Sequence, residues 1–290
     1  MVSKEKKIRT FTTVGDVQVP TFLYGTAWKE ERTEQFTFKA IKSGFRGVDT
    51  ANQRKHYYEA GVGAALKRAF DDNLISRKDL FLQTKFTFLN GQDERLPYDK
   101  NAAIGEQVKQ SVESSLNHLH VEYLDSYVLH GPSTWEGLAA DDYEAWKAME
   151  ELYEEGKVRL LGVSNVNSDQ LQLLYEKATV KPSVVQIRTY ARNRWEKDIR
   201  QFCQEKGILY EGFSLLTANR NELANPAIDE IVQRRKITLP QLVFRFALQI
   251  GIVPLTGTTN EEHMKTDLAI YDFSLTEEEI KTIEDIAIGE

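Results

Sequence analysis

Eight short apolar runs rich in β-branched residues alternate with longer stretches of helical period between residues 20 and 270, and no other feature constrains the fold as much. The runs are Pro20 to Gly25, Gly47 to Thr50, Leu80 to Lys85, Leu124 to His130, Leu160 to Ser164, Val184 to Gln186, Leu209 to Ser214 and Ile252 to Leu255. Between them Val62, Leu66, Ala69 and Phe70 recur at helical spacing, as do Trp146, Met149, Leu152 and Tyr153, and Leu171, Leu174 and Tyr175. Strands separated by helices of this length pair in parallel, because each crossover carries the chain back to the same end of the sheet.

Eight such units in about 250 residues, with no Pro/Gly/Ser-rich linker, predict one (β/α)8 TIM barrel spanning residues 1–290 as a single domain. A doubly wound dinucleotide-binding sheet would carry G-x-G-x-x-G directly after a strand. The nearest candidate, Gly61-Val62-Gly63, lies inside a helical pattern and reads as helix packing. The segment FTTVGDVQVP alternates around Gly15-Asp16 and predicts a small hairpin closing the bottom of the barrel. Asn167-x-x-Gln170 and Thr276-x-x-Glu279 read as capping boxes, the second opening an extra C-terminal helix.

Composition matters here for what it excludes. With 44 acidic against 37 basic residues, a formal charge of −7 and no basic run beyond Lys4 to Lys7, nucleic acid is not an expected partner. The start, MVSKEKKIRTF, lacks the apolar stretch of a secretory signal, and no run approaches the roughly 18 apolar residues of a membrane span. A mature, cytoplasmic, monomeric protein is expected. The lone Cys203, beside Ile199 and Phe202, reads as a packed thiol. His118 and His120 read as surface residues, and no metal is expected.

In such a barrel the chemistry sits where strands end. Asp49 ends the second run, Lys85 the third and His130 the fourth, while Tyr57 and Tyr58 follow in the loop after the second. An ammonium beside a phenol stabilises the phenolate, so Lys85 is expected to draw a nearby tyrosine below its ordinary pKa of about 10. Asp49 would hold the lysine, and His130 would hydrogen-bond a carbonyl oxygen. Asp49 and Lys85 equally fit a buried ion pair, and His130 a satisfied core histidine; their convergence on one rim favours chemistry.

These residues resemble the aldo-keto reductase superfamily over nearly the whole chain. Gly44-Phe45-Arg46-Gly47-Val48-Asp49-Thr50-Ala51 is similar to its aspartate segment, and Leu80-Phe81-Leu82-Gln83-Thr84-Lys85 to its lysine strand. Leu124-Asp125-Ser126-Tyr127-Val128-Leu129-His130-Gly131-Pro132 is similar to its histidine strand, and Gly162-Val163-Ser164-Asn165 to the segment that binds the nicotinamide carboxamide. The resemblance implies reduction of an aldehyde or ketone, a small-molecule carbonyl substrate, with NADPH as cofactor and Tyr57 as proton donor. The family tyrosine stands two residues before a glutamate, as Tyr57 does before Glu59 and Tyr58 does not.

By the same resemblance Ser164, Asn165 and Gln186 take the carboxamide, Ser214, Leu215 and Leu216 the pyrophosphate, and Gly25 and Thr26 line the cofactor. Phe213 replaces the tyrosine that stacks on the nicotinamide, keeping the ring and losing the hydroxyl. In Val253-Pro254-Leu255-Thr256-Gly257-Thr258-Thr259-Asn260, Leu255 stands where many relatives carry a lysine for the 2′-phosphate, and His263 falls near the arginine position. Thr256, Gly257, Thr258 and Thr259, the backbone N–H groups opening the next helix, and Lys265 are expected to compensate. NADPH is the expected cofactor, and NADH the alternative.

The chain ends at Glu290 without the long C-terminal loop of some relatives, so an open mouth is expected, lined by Trp28, Phe86, Phe88 and Trp135. Arg188, Arg192 and Arg194 form a basic cluster after the sixth run that fits a solvated patch better than an acidic-substrate site. Two other readings share the fold: a cofactor-sensing regulatory subunit, and an isomerase or epimerase with a retained nicotinamide cofactor.

Overall fold

A computed structural model describes residues 10–287; the basic run Lys4 to Lys7 and the terminus at Glu290 lie outside the described residues. The chain opens with the antiparallel hairpin of β1 (Phe11–Val14) and β2 (Val17–Pro20), whose two-residue turn places Gly15 at φ +59°, a conformation cheap only for glycine. Then come β3 (Leu23–Gly25), α1 (Thr33–Ser43), β4 (Gly47–Asp49), α2 (Glu59–Asp71), β5 (Phe81–Phe86), α3 (Ile104–Leu119), β6 (Ser126–Leu129) and α4 (Ala140–Glu154). They are followed by β7 (Leu161–Ser164), α5 (Ser168–Lys177), β8 (Val184–Arg188), α6 (Lys197–Lys206), β9 (Leu209–Phe213), α7 (Arg220–Leu223) and α8 (Pro226–Arg235). The order ends with α9 (Leu239–Gln249), β10 (Ile252–Thr256), α10 (Glu261–Leu268) and α11 (Glu277–Glu284).

Strands β3 to β10 pair in parallel, and β10 pairs back onto β3, giving the closed eight-strand barrel read from the sequence. One boundary is corrected. The run from Pro20 to Gly25 is not a single strand: Pro20 ends the hairpin, and the barrel strand begins at Leu23. Val17 and Val19 of the hairpin join Leu23, Phe81, Leu160, Val184 and Val253 in one buried cluster, so the hairpin closes the end of the lumen away from the strand C-termini.

Outside the barrel, helices bury one face each against the strands. In α2, a Cβ on Gly63 would come within 1.9 Å of the His118 carbonyl oxygen, so the glycine lets α2 and α3 touch backbone to backbone. Asn167 and Thr276 cap α5 and α11 through the reciprocal hydrogen bonds of a capping box. The C-terminal α11 is tied down where the Trp195 indole N–H donates to the Ile283 carbonyl at 3.0 Å and Arg200 meets Glu284 at 3.0 Å. Cys203 is packed, and burial pushes its thiol up to about 12. No helix among the described residues is long and apolar enough to cross a membrane.

Candidate active site

A cavity of about 1150 Å³ opens at the C-terminal ends of the barrel strands. That is ample for a dinucleotide and a small molecule together, since pockets for drug-sized ligands run from about 300 to 1,000 Å³. Asp49 is the last residue of β4, Lys85 the penultimate residue of β5, and His130 follows β6 directly, so three adjacent strands deliver them to one wall.

Lys85 is fully buried, and its ammonium donates to Asp49 Oδ1 at 2.5 Å and to the Thr50 carbonyl at 2.8 Å. Burial works to lower its pKa, but the charges of Asp49 and Tyr57 and the Asp49 hydrogen bond outweigh it and hold the ammonium above its ordinary value. Tyr57 lines the cavity with Lys85 Nζ 5.4 Å from its ring centroid, whereas Tyr58 lies off the cavity under the Arg54 guanidinium at 4.3 Å. Glu59, two residues after Tyr57, starts α2 as a buried carboxylate that accepts hydrogen bonds from Thr84 and Ser115. This anchors the loop that carries the tyrosine.

The expected lowering of the tyrosine is overturned. Burial raises the Tyr57 phenol and Asp49 adds to the rise, and together they exceed the opposing pull of Lys85. His130 is pushed the other way, down to about 3, by burial and then by Lys85, so its imidazole is neutral at physiological pH. Its Nδ1 shares a 2.7 Å hydrogen bond with the Thr87 hydroxyl.

Next round the barrel from His130, Ser164, Asn165 and Gln186 line the cavity, with Asn165 Nδ2 donating to the His130 carbonyl at 2.8 Å and Ser164 Oγ to the Gln186 carbonyl at 2.7 Å. Asn165 and Ser214, each the first residue beyond its strand, stand at φ +54° and +58°, strained for non-glycine residues and typical of ligand-facing turns. Phe213, Leu215 and Leu216 also line the cavity, as do Gly25, Leu255, Thr256, Gly257, Thr258, Thr259 and His263. Trp28 and Trp135 form the lip, 70% and 96% exposed, with the Trp28 ring 4.0 Å from that of His56.

Several expected positions lie elsewhere. Thr26 is fully buried, its N–H and hydroxyl both donating to the Asp49 carbonyl, so it braces the wall and does not face the cavity. Phe86 alternates with the inward Lys85 and points outward, packing on Phe88 and Tyr98; Phe88 is the pocket residue. Lys265 is paired with Glu261 at 3.2 Å, and the Glu262 and His263 amides in the first turn of α10 are taken by the Asn260 side chain, in a turn that also carries Glu261. Both groups expected to compensate for Leu255 thus have partners within the chain in this structure. Of the basic cluster, only Arg188 reaches the cavity; Arg188 and Arg192 both approach the Tyr190 ring. His118 is partly exposed and shares a 3.4 Å contact with Glu59.

Sequence reasoning missed Lys29, which lines the cavity, is 3% exposed and donates to the carbonyls of Gly25 and Gly257 at 2.8 and 3.1 Å. It has no carboxylate partner among the described residues, and burial brings its pKa down to about 8. A lysine four residues past a strand end was the available signal. Also missed was Glu211, a carboxylate in the middle of a buried parallel strand, where a charge is itself a signal.

The sequence profile of the aldo/keto reductase family matches residues 21–288. Glyoxal reductase of Bacillus subtilis is 31% identical over 271 residues, covering 92% of this chain and 89% of the relative. The NAD(P)H-dependent 6'-deoxychalcone synthase of Glycine max is 32% identical over 273 residues, covering 88% and 82%. Among solved structures, an aldo/keto reductase from Brucella melitensis superposes with a TM-score of 0.80 at 25% identity, covering 95% of this chain and 98% of that one.

Proposed function

Because the chain belongs to the aldo/keto reductase family of NAD(P)H-dependent carbonyl reductases, we propose that it reduces an aldehyde or ketone to the alcohol, with Tyr57 as general acid. The observation that carries the reading is the Tyr57 phenol and the neutral His130 imidazole on one wall of a large cavity, with the buried Lys85 ammonium behind the Tyr57 ring. The cavity's lining fits a dinucleotide: a buried cation at Lys29 with no carboxylate partner among the described residues, the hydroxyls of Ser214, Thr258 and Thr259, an aromatic face at Phe213 and the amide oxygen of Gln186. When bound, the nicotinamide supplies the hydride.

The side chains divide the remaining work. In the tautomer that this chemistry requires, the Thr87 hydroxyl donates to His130 Nδ1, which leaves Nε2–H to orient the substrate carbonyl oxygen. Tyr57, kept protonated by burial, gives its phenolic proton to the oxygen as negative charge develops there. Lys85 then stabilises the phenolate, and Asp49 holds Lys85 charged and in place. The aromatic lip of Trp28, Phe88 and Trp135 accepts the substrate body.

NADPH is the proposed cofactor. Its 2′-phosphate would meet His263 in place of a lysine and arginine, while the Asp267 carboxyl, raised by burial to about 6, lines the same end. Turnover of reduced nicotinamide against a panel of aldehydes, ketones and sugars tests the proposal. Tight nucleotide binding without consumption across the whole panel would sink it.

A further inference from the structure

Beneath the Lys85–Asp49 pair lies a carboxyl that the reaction as described does not use. Glu211, in the middle of β9, is fully buried, and its Oε2 accepts from the amide nitrogens of Gln83 at 2.7 Å and Gln186 at 2.8 Å. The same two nitrogens donate to Asp49 Oδ1 at 2.9 and 3.0 Å. Asp49 and Gln83 are partners in register on β4 and β5, and Gln186 and Glu211 on β8 and β9, so two carboxyls are clasped by two carboxamides across the lumen. Glu211 Oε1 and Gln83 Oε1 have no hydrogen-bond partner among the described residues.

Two consequences follow from this layer. With its nitrogen held by the carboxyls, Gln186 has only its amide oxygen left for the cavity it lines. The second consequence is charge. Lys85 faces both Asp49 and Glu211, and when both carboxyls are ionised the layer carries one net negative charge in a place shut from water. Burial first, then repulsion from Asp49, push Glu211 up to about 7, against the two amide hydrogen bonds and Lys85.

We infer that Glu211 is a positioning residue that couples the proton balance of this layer to the charge of the nicotinamide held at Gln186. An oxidised nicotinamide ring is cationic and a reduced one neutral. Glu211 therefore releases its proton to solvent when the oxidised cofactor binds, and keeps it with the reduced cofactor. This rests on the cofactor reading given under Proposed function. The other titratable groups near the layer are Asp49 on β4, Lys85 on β5 and Tyr57 in the loop after β4; β8 and β10 place Gln186 and Val253 beside Glu211. His130 stays neutral down to about 3, while His56 and Lys29 stand on the cavity wall.

The test uses the purified full chain and titrates NADP+ and NADPH by protein fluorescence from about pH 5.5 to 8.5. Taking the ratio of the two dissociation constants cancels groups that respond equally to both nucleotides, and comparison with Glu211→Gln separates Glu211 from the other titratable groups on the cavity wall, Lys29 and His56. The expected result is a relative affinity for NADP+ that climbs about tenfold across the window, and a flat ratio in Glu211→Gln. Calorimetry of wild type near pH 7, in buffers of unlike ionisation enthalpy, should show more proton release with NADP+ than with NADPH, and equal release overturns the inference even if the variant does not fold. A flat ratio in wild type, or an unchanged climb in Glu211→Gln, overturns the inference. Failure of both nucleotides to bind overturns the cofactor reading itself.

Discussion

The rings of Tyr57 and His130 meet edge to face, with centroids 5.9 Å apart and planes at 69°, so a phenol and a neutral imidazole share one wall of the cavity. If the phenol is the proton donor, Tyr57→Phe should lower kcat/KM for carbonyl reduction by about 10²- to 10⁴-fold while leaving nucleotide binding near wild type. Tyr58→Phe, altering a residue that stacks under Arg54, should do neither. Steady-state kinetics with fluorescence titration on both variants checks this, and the reverse pattern would move the acid to Tyr58.

Glu211 should also leave a mark on stability. A glutamate ionises near 4.3 in an unfolded chain and at about 7 here, so over that interval the folded protein holds a proton that the unfolded chain has lost. Stability contributed through this group therefore falls as pH rises, by about 1.4 kcal/mol per unit, is unpenalised below about 4.3 and levels off above about 7. Urea unfolding at several pH values should show Glu211→Gln gaining on wild type across the interval; parallel curves would contradict it.

At the adenosine end His263 is the residue to change. Replacing it by arginine puts a bidentate donor where Leu255 supplies none, and NADPH should bind about tenfold tighter with NADH unaffected. Equal gains for both nucleotides would mean that residue 263 does not meet the 2′-phosphate.

Trp28 and Phe86 separate pocket from core. Trp28→Ala should raise KM for aromatic carbonyls with a change of about 0.5 kcal/mol or less in stability, because the side chain is 70% exposed. Phe86→Ala removes a fully buried ring from contact with Phe88 and Tyr98 and should cost about 3 to 5 kcal/mol in chemical denaturation.

Gly63→Ala should destabilise by about 3 kcal/mol, since the methyl would meet the His118 carbonyl and force α2 away from α3. Gly61→Ala meets its nearest atoms at 3.0 Å and should be milder. Thermal or urea unfolding of the pair orders them; equal midpoints would show that the helices yield without strain.

The sequence alone determined whatever depends on near neighbours in the chain. Period separated strands from helices, Asn167 and Thr276 announced helix starts, and Gly15-Asp16 announced the hairpin, because each is settled within a few residues by backbone geometry and local hydrogen bonds. Asp49, Lys85 and His130 stood out because a parallel strand has a defined end, and polar residues at buried ends are conspicuous. Strand alternation even contained the correction for Phe86, since the residue after an inward lysine must face out.

Tertiary structure decided the rest. The clasp of Asp49, Gln83, Gln186 and Glu211 joins residues up to 162 positions apart, and only barrel closure brings them within hydrogen-bond distance. The direction of the Tyr57 shift depended on whether burial or Lys85 prevailed, a contest between water exclusion and Coulomb attraction. Desolvation is a property of the assembled site, and the residues on either side of a tyrosine in the chain carry no record of it.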